Sequence, residues 1–175
     1  MRTSAVFPRT LWRGDATESS TRELAEETPV ALVHDATTTA VMMATPADLE
    51  DFGLGFSLNE GIVRRAEELV GLEVVWDRPG VEVRMWLAEG ASRTLAARRR
   101  KIIGPTGCGL CGVESLAEAA APPPRVGTGS QVRAADIQSA LRAVAQAQTL
   151  GPATRAVHAA AWWTPHGLQV LREAV

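Results

Sequence analysis

The sequence predicts an α/β protein in which helices cover the faces of a mixed β-sheet. Short apolar runs rich in β-forming residues occur in pairs around turns, as PVALVH and AVMMA do. Segments with the three- and four-residue apolar spacing of a helix, such as AADIQSALRAVAQAQ, lie between these pairs. Because hairpins and helices alternate along the chain, we expect both antiparallel and crossover connections, and therefore a mixed sheet.

Composition and charge narrow the class of protein. The chain has 175 residues, of which 46% are hydrophobic and 22% are charged, as in an ordinary globular protein. A net charge of -2 provides no global positive field that would draw the protein onto nucleic acid or a membrane surface. No segment approaches the roughly 20 apolar residues of a membrane-spanning helix, and the start lacks the apolar stretch of a signal peptide. We therefore expect a cytoplasmic protein.

The front of the chain differs in composition from the rest. Residues 1–28 are polar and include the acidic run ELAEE, so we expect a partly flexible extension. Residues 29–175 are expected to form a single domain. That domain begins with PVALVH at 29–34 and AVMMA at 40–44, which predict a hairpin around an Asp-Thr turn and the centre of the sheet.

A helix-start signal follows this hairpin. Thr45 is predicted as the N-cap, with Pro46 in the first turn and Asp48 at the capping-box position. The apolar residues of one helix face are Leu49, Phe52 and Phe56. Gly53 and Gly55 each cost about 1 kcal/mol relative to alanine inside a helix, so they indicate close packing against the sheet.

Further elements are expected downstream. A helical turn at AEELVG precedes a second hairpin, in which LEVVWD and VEVRMWLA flank Arg78-Pro79-Gly80. The second strand alternates, and its predicted core residues are Val81, Val83, Met85 and Leu87. RTLAARRRKII at 93–103 is expected to be another strand, leading into a glycine-rich loop and then a helix at VESLAEAA.

The last third of the chain begins with a connector. APPPRVGTGS at 121–130 contains three consecutive prolines, which cannot continue a helix. A helix follows over AADIQSALRAVAQAQ, and its inward residues are predicted to be Ile137, Leu141, Val144 and Ala145. TRAVHAAAWW and LQVLREAV then predict a strand pair around Pro165-His166-Gly167.

The chemistry of the chain is concentrated in GPTGCGLCGVESL, residues 104–116. It contains the only two cysteines, Cys108 and Cys111, between four glycines. A tetrahedral zinc site needs four ligands, and the three histidines of the chain are scattered over other segments, so only a site shared by a symmetric dimer stays open. The zinc deaminase signature fails, because no H-x-E segment precedes the cysteines.

Three interpretations of the cysteine pair remain. A redox dithiol and a cysteine that carries sulfur or acyl groups both need a thiol of low pKa. The start of a helix after the loop would lower the thiol pKa in either case. Buried inert cysteines are the third, although the glycines favour an exposed loop. Just upstream lie the basic residues Arg98, Arg99, Arg100 and Lys101. Such a run is usually a solvated surface, but here it would also lower the pKa of Cys108 and hold an anionic ligand.

Three blocks in order give the chain a family resemblance. VMMATPADLEDFGLGFSLNEGI, RRRKIIGPTGCGLCGVESL, and HAAAW with RE near the end resemble the FdhD family of sulfur carrier proteins, from about Pro29 to Glu173. The resemblance implies a cytidine-deaminase-like fold and a sulfurtransferase. Sulfur would pass from a cysteine desulfurase, as a persulfide, to the molybdenum or tungsten bis-pterin guanine dinucleotide cofactor of formate dehydrogenase. That cofactor would bind only transiently, and no permanent cofactor or metal is expected.

The resemblance also implies roles for individual residues. Cys108 matches the cysteine that bears the persulfide, Cys111 is its companion, and His158 lies in the family's TGG-x-HAA motif near the cofactor. The sequence departs from the family pattern where Arg155 and Ala156 replace two glycines and where Pro105 replaces an arginine. Family members continue past REDVGRHN, so the chain is expected to lack the C-terminal part that holds much of the guanine dinucleotide pocket.

The leading hypothesis is therefore an FdhD-type sulfurtransferase whose activity is reduced by the shorter length. Two alternatives stay open, a CxxC dithiol redox protein and a non-catalytic binding module. The expected partners are a cysteine desulfurase and formate dehydrogenase, and association with a second copy of the chain stays open. Neither nucleic acid nor a membrane is expected.

Overall fold

The computed structural model describes residues 2–99, 125–129 and 131–175, with the backbone alone for residues 96–99. The strands are β1 Ser4–Arg13, β2 Ala16–Ala25, β3 Thr28–His34, β4 Thr37–Ala44, β5 Leu69–Asp77, β6 Gly80–Leu87, β7 His158–Thr164 and β8 Gly167–Ala174. The helices are α1 Leu49–Asn59, α2 Glu89–Arg99, α3 Ala134–Ala147 and α4 Leu150–Thr154, with a 3₁₀ turn at Ala66–Glu68.

The chain divides into two compact units. The sheet unit comprises Val30–Met42 and Leu49–Ser130, and the hairpin unit comprises Met1–Pro29, Met43–Asp48 and Gln131–Val175. Both units are therefore discontinuous in sequence, because each one contains segments that lie far apart along the chain.

The sheet unit is organised around a four-stranded sheet with the strand order β4-β3-β6-β5. Strand β3 pairs with β6 in parallel, with Val30 opposite Val81, while β5 and β6 form an antiparallel hairpin. This confirms the predicted mixed sheet and both of its hairpins. The first hairpin was also predicted to form the centre of the sheet, which holds for β3 but not for β4, an edge strand of the sheet among the described residues. The four residues predicted to face the core from β6 are all buried: Val81, Val83, Met85 and Leu87.

Helix α1 packs on this sheet through a glycine. A Cβ atom added at Gly53 would lie 2.7 Å from Val83 Cγ1 and 3.1 Å from Met85 Sδ, so the predicted close packing is confirmed there. At Gly55 a Cβ atom would meet nothing within 4 Å, and the same prediction is wrong. The helix also begins at Leu49 rather than directly after Thr45, because Asp48 has a φ of 50° and interrupts any helix before it.

The segment RTLAARRRKII was predicted as a strand, and the structure corrects this over its described part. Residues Glu89–Arg99 form helix α2. Alanine, leucine and arginine are strong helix formers, and the Arg93–Glu89 ion pair of 2.7 Å adds the i,i+4 support of a helix. Leu95 is 4% exposed and packs in a cluster with Ile62, Val63 and Leu87. The predicted helix at VESLAEAA and the junction around the cysteines lie outside the described residues.

The first 25 residues form regular structure where none was predicted. Strands β1 and β2 pair antiparallel from Ser4 opposite Ala25 to Arg13 opposite Ala16. Gly14, with a φ of 59°, supplies the left-handed conformation that the two-residue turn needs. No alternation of buried apolar and exposed polar side chains marks this hairpin, because most positions on both strands are exposed, including the apolar Val6, Phe7 and Trp12.

Helix α3 contacts β7 and β8 in the hairpin unit. The helix and the strand pair agree with the sequence prediction, but the orientation of the helix does not. Ile137 and Leu141 were predicted to face inward, yet they are 51% and 59% exposed, and Ala145 is also exposed. Val144 is half-buried, as are Ala140 and Ala143, so the contact face is rotated away from the most apolar stripe.

Candidate functional site

Most of the predicted site lies outside the described residues. Cys108, Cys111, Arg100 and Lys101 are not among them, and only the backbone of Arg98 and Arg99 is described, at the end of α2. The thiol site and its basic run therefore stay predictions. His158 is the one predicted site residue whose surroundings are known.

His158 is the first residue of β7. Its side chain is exposed, and its backbone lies opposite Ala174 at the end of β8. An exposed imidazole at a strand start is free of core packing, so it is available to a ligand in a way that a buried histidine is not. His166, by contrast, lies in the turn between β7 and β8, where its backbone N–H donates to Thr164 Oγ1 at 3.2 Å.

The residues before His158 adopt a special conformation. Helix α4 ends at Thr154, and Arg155 follows with φ 55° and ψ 34°, in the left-handed region. Its N–H donates to the Gly151 carbonyl at 2.8 Å, which closes the last turn. Glycine is favoured at such a helix end. Glycine has no Cβ atom and adopts this conformation without steric cost, whereas Arg155 is strained in it.

The start of α4 is held by a carboxylate from β8. The Glu173 side chain accepts hydrogen bonds from three consecutive backbone N–H groups, those of Thr149 at 2.7 Å, Leu150 at 3.0 Å and Gly151 at 2.6 Å. Thr149 Oγ1 donates to the same carboxylate at 3.3 Å. These are the groups that a helix start leaves without partners, so Glu173 acts as a remote N-cap.

Electrostatics at Glu173 follow from these contacts. Burial alone would raise the pKa of the carboxyl, but the hydrogen bonds from Thr149, Leu150 and Gly151 outweigh it and lower the pKa below 4.5. The carboxylate is therefore ionised at neutral pH, and its charge is neutralised by backbone donors rather than by a cation.

The end of α4 is held by a second long-range contact. Arg22 Nη2, from β2, donates to the Thr154 carbonyl oxygen at 3.2 Å. Thr154 is fully buried, and its hydroxyl donates to the Leu150 carbonyl at 2.9 Å. Two charged side chains from two different strands thus hold the two ends of one short helix.

A cavity of about 290 Å³ opens beside the start of α4, within the hairpin unit. It is lined by Thr3, Ala47, Asp48, Ala147, Thr149, Leu150, Leu171 and Glu173. Its two carboxylates are already engaged, since Glu173 caps α4 and Asp48 Oδ1 lies 3.3 Å from Arg172 Nε. The cavity has the size of a small-molecule site but presents no unpaired charge of its own.

The sheet unit contains a buried polar cluster that the sequence did not predict. His34 is fully buried, and its Nε2 lies 2.8 Å from Ser57 Oγ while its Nδ1 lies 2.9 Å from Thr39 Oγ1. Because the Ser57 hydroxyl donates to the Gly53 carbonyl at 2.7 Å, Ser57 Oγ accepts from His34. The two hydrogen bonds of His34 connect β3 to β4 and to α1, so they help to fix the packing of the sheet unit.

The described part of the chain contains neither a cluster of metal-ligating side chains nor a membrane-spanning helix. Within residues 2–99, 125–129 and 131–175, no three histidine, cysteine or acidic side chains are grouped closely enough to hold a metal ion. Over the same part of the chain, no helix combines the length and the apolar character needed to cross a bilayer.

The remote contacts at α4 escaped the sequence analysis for a clear reason. Glu173 lies 22 to 24 residues after the N–H groups that it caps, and Arg22 lies 132 residues before Thr154. A sequence pattern for a helix cap involves residues next to the helix end, so neither Glu173 nor Arg22 can be recognised as a cap from the sequence. The RE dipeptide at 172–173 belongs to the third block of the family resemblance, but that resemblance assigns it no role.

Comparison with known proteins gives a consistent result. A family model described as FdhD/NarQ matches residues 25–175. The chain is 44% identical over 169 residues to the sulfur carrier protein FdhD of Agrobacterium fabrum and 43% identical over 174 residues to that of Cupriavidus necator. These matches cover 95% and 99% of this chain, and 62% and 60% of the relatives, so the chain spans about three fifths of their length.

A solved structure shares the fold. It is the crystal structure of a protein from Desulfotalea psychrophila, described as a candidate formate dehydrogenase accessory protein. The TM-score is 0.68 and the sequence identity 22%, and the match covers 99% of this chain and 61% of the other. The mixed α/β architecture is thus that of a known structure, whereas the cytidine-deaminase-like label stays a prediction.

Proposed function

Because the chain belongs to the FdhD/NarQ family, we propose that it is a sulfur carrier that serves the maturation of formate dehydrogenase. One observation carries the proposal: two relatives named as sulfur carrier proteins are 43–44% identical to nearly the whole chain. The CxxC pair in its glycine-rich segment supplies the chemical group that such a carrier requires.

Cys108 is proposed to receive the sulfur. Its thiolate attacks the outer sulfur of a cysteine desulfurase persulfide, the S–S bond breaks, and the desulfurase thiolate leaves. Cys108 then carries the persulfide. Thiolates and not thiols perform this attack, so the basic run from Arg98 to Lys101 assists by favouring the ionised form.

Cys111 is proposed to complete the release. Its thiolate attacks Cys108 Sγ, the persulfide bond breaks, and sulfur leaves as sulfide toward the metal of the bis-pterin guanine dinucleotide cofactor, which is the substrate. The two cysteines are left as a disulfide. This step balances, because the two electrons that convert the outer persulfide sulfur to sulfide come from the thiolate pair. A cellular thiol reductant then restores the pair.

The proposed location is the cytoplasm, where reducing conditions keep neighbouring cysteines as thiols. The proposed partners are a cysteine desulfurase and formate dehydrogenase. The sulfurtransferase activity and the delivery of sulfur to the cofactor by this chain are both part of the proposal.

Intact-protein mass spectrometry tests the proposal. The protein is incubated with a cysteine desulfurase and cysteine, and we expect a gain of one sulfur atom that a thiol reductant removes. Cys108→Ala abolishes the gain, while Cys111→Ala retains the sulfur and blocks its release as sulfide. Arg9→Gln, at an exposed site on β1, serves as a control. The absence of any gain at either cysteine in the wild-type protein would refute sulfur carriage.

A further inference from the structure

The β5–β6 pair has a second face, opposite to the one on which α1 packs. Side chains alternate between the two faces of a strand, so the residues between the buried ones of β6 lie on this second face. The antiparallel register adds the β5 residues that lie opposite them. We call this surface the Trp86 face, and its members are Gly71, Glu73, Val75, Glu82, Arg84 and Trp86.

The side chain of Trp86 lies across Gly71 of the neighbouring strand. A Cβ atom built on Gly71 would be 3.2 Å from Trp86 Cε3 and 3.8 Å from its Cδ2, so the indole occupies the space above the glycine. The ring is thereby held against β5, while Trp86 keeps 42% of its surface exposed. An exposed indole presents π surface to solvent, and the indole is the aromatic side chain that attracts a cation most strongly.

Two carboxylates and one guanidinium accompany the indole. Arg84 Nε donates to Glu82 Oε2 at 2.8 Å, so these two charges neutralise each other. Glu73 is exposed, and among the described residues it forms no ion pair. It follows Gly71 by two residues on the same face, which places it diagonally beside Trp86 and within reach of an aromatic side chain. The Trp86 face thus combines an indole with a carboxylate that no described cation neutralises.

We propose that the Trp86 face binds an arginine side chain of a partner protein, with the guanidinium over the indole of Trp86 and against the carboxylate of Glu73. A guanidinium is planar, stacks on aromatic rings and binds carboxylates through a fork of N–H donors, so it suits this pair better than an ammonium does. The net negative charge of the face favours the same partner. This contact is independent of the proposed sulfur carriage, which involves other residues.

Both contacts of the arginine are exposed, and each is therefore weak. A single arginine should bind with a dissociation constant on the order of 100 mM, and it would act as one anchor within a larger interface. Tryptophan and arginine are the residues that most often form such anchors.

NMR titration of the isotope-labelled protein with acetyl-Gly-Arg-Gly-amide tests the proposal. The indole N–H signal of Trp86, assigned by its loss in Trp86→Phe, should shift as the peptide is added. At equal ionic strength, its initial slope should be about tenfold larger than with the same peptide carrying citrulline, which has the shape of arginine but no charge. A merely structural role for Trp86 would not distinguish the two peptides.

Variants separate the two contacts, with the backbone N–H signal of Gly71 as the common readout. Glu73→Gln should reduce the initial slope about threefold, whereas Glu67→Gln, which removes an exposed charge outside this face, should change nothing. Trp86→Phe should retain part of the binding. Trp86→Leu keeps an apolar side chain without a π system, and it should lose about threefold.

Equal slopes with the arginine and citrulline peptides, or no shift of the Trp86 signal with either, would overturn the proposal. A Trp86 signal that moves with protein concentration alone would also overturn it, because the face would then belong to an interface with a second copy. If Trp86→Leu does not fold, Glu73→Gln and the citrulline peptide still decide the outcome.

Discussion

The Glu173 carboxylate on β8 accepts a hydrogen bond of 2.6 Å from the backbone N–H of Gly151, the second residue of α4. The two residues are 22 positions apart, and their contact joins strand β8 to the five-residue helix α4. Since neighbouring N–H groups bind the same carboxylate, the charge replaces the local N-cap that α4 lacks.

Glu173→Gln should therefore lower the free energy of unfolding by about 1–2 kcal/mol at neutral pH, as the loss of a helix cap does. The pKa of Glu173 is lowered in the folded protein, so its contribution is complete above pH 4.5 and is lost as the pH falls through the lowered pKa. Denaturant unfolding at a series of pH values from pH 7 downwards should show the difference between the two proteins becoming smaller as the pH falls. Glu18→Gln, at an exposed position on β2, should match the wild-type protein throughout, and a gap that stays constant with pH would contradict the assignment.

Arg155→Gly should raise the free energy of unfolding by about 0.5–1 kcal/mol, because glycine adopts a φ of 55° without the steric cost that arginine has. Arg142→Gly, inside α3, is the control of opposite sign and should cost about 1 kcal/mol. Thermal unfolding of both variants measures the difference. Equal destabilisation by both substitutions would show that Arg155 is not in the left-handed conformation.

The two glycines of α1 offer a matched comparison. Gly53→Ala places a Cβ atom 2.7 Å from Val83 Cγ1, and this overpacking should cost about 1–3 kcal/mol. Gly55→Ala meets nothing within 4 Å, so the higher helix propensity of alanine should add up to about 1 kcal/mol of stability. The denaturant midpoints of the two variants, compared with that of the wild-type protein, measure both effects. The packing of α1 on β6 would be disproved if both substitutions were stabilising.

The buried hydrogen bond between Ser57 and His34 is expected to be stabilising. Ser57→Ala removes the hydroxyl that lies 2.8 Å from His34 Nε2, and losing this hydrogen bond between two fully buried residues should cost about 1–3 kcal/mol. Ser139→Ala removes a comparable hydroxyl from the half-buried side of α3, where it donates to the Ala135 carbonyl, and should change the stability by less than about 0.5 kcal/mol. Chemical denaturation of the two variants makes the comparison, and a similar loss in both would argue against a special role for the buried pair.

The sheet unit was predictable because its signals are local. Residues 81–87 alternate between apolar and polar side chains, and the buried set is the one that this alternation predicts. The strand prediction for RTLAARRRKII was wrong over its described part, because it gave too little weight to alanine, leucine and arginine, which favour a helix. The β1–β2 hairpin was not predicted because the apolar residues of β1 occur in adjacent pairs rather than in alternation, while β2 is mostly polar.

The candidate site was predictable only in part. His158 was identified through a motif, and its exposure agrees with a ligand role. Glu173 and Arg22 act on residues far away in the sequence, so no local sequence pattern indicates their roles. The same limit applies to α3. Its apolar stripe was correctly identified, but which face contacts β8 depends on a strand that lies more than twenty residues downstream.

The exposed stripe of α3 leads to a last prediction. Leu141 is 59% exposed, so Leu141→Ala should change the free energy of unfolding by less than about 0.5 kcal/mol. Leu95, which is 4% exposed, is the buried counterpart, and Leu95→Ala should cost about 2–5 kcal/mol through lost burial and a cavity. Unfolding is measured at two protein concentrations that differ tenfold. A loss for Leu141→Ala that grows with protein concentration would contradict the prediction and show that a second copy covers Ile137 and Leu141, since only association makes stability depend on concentration.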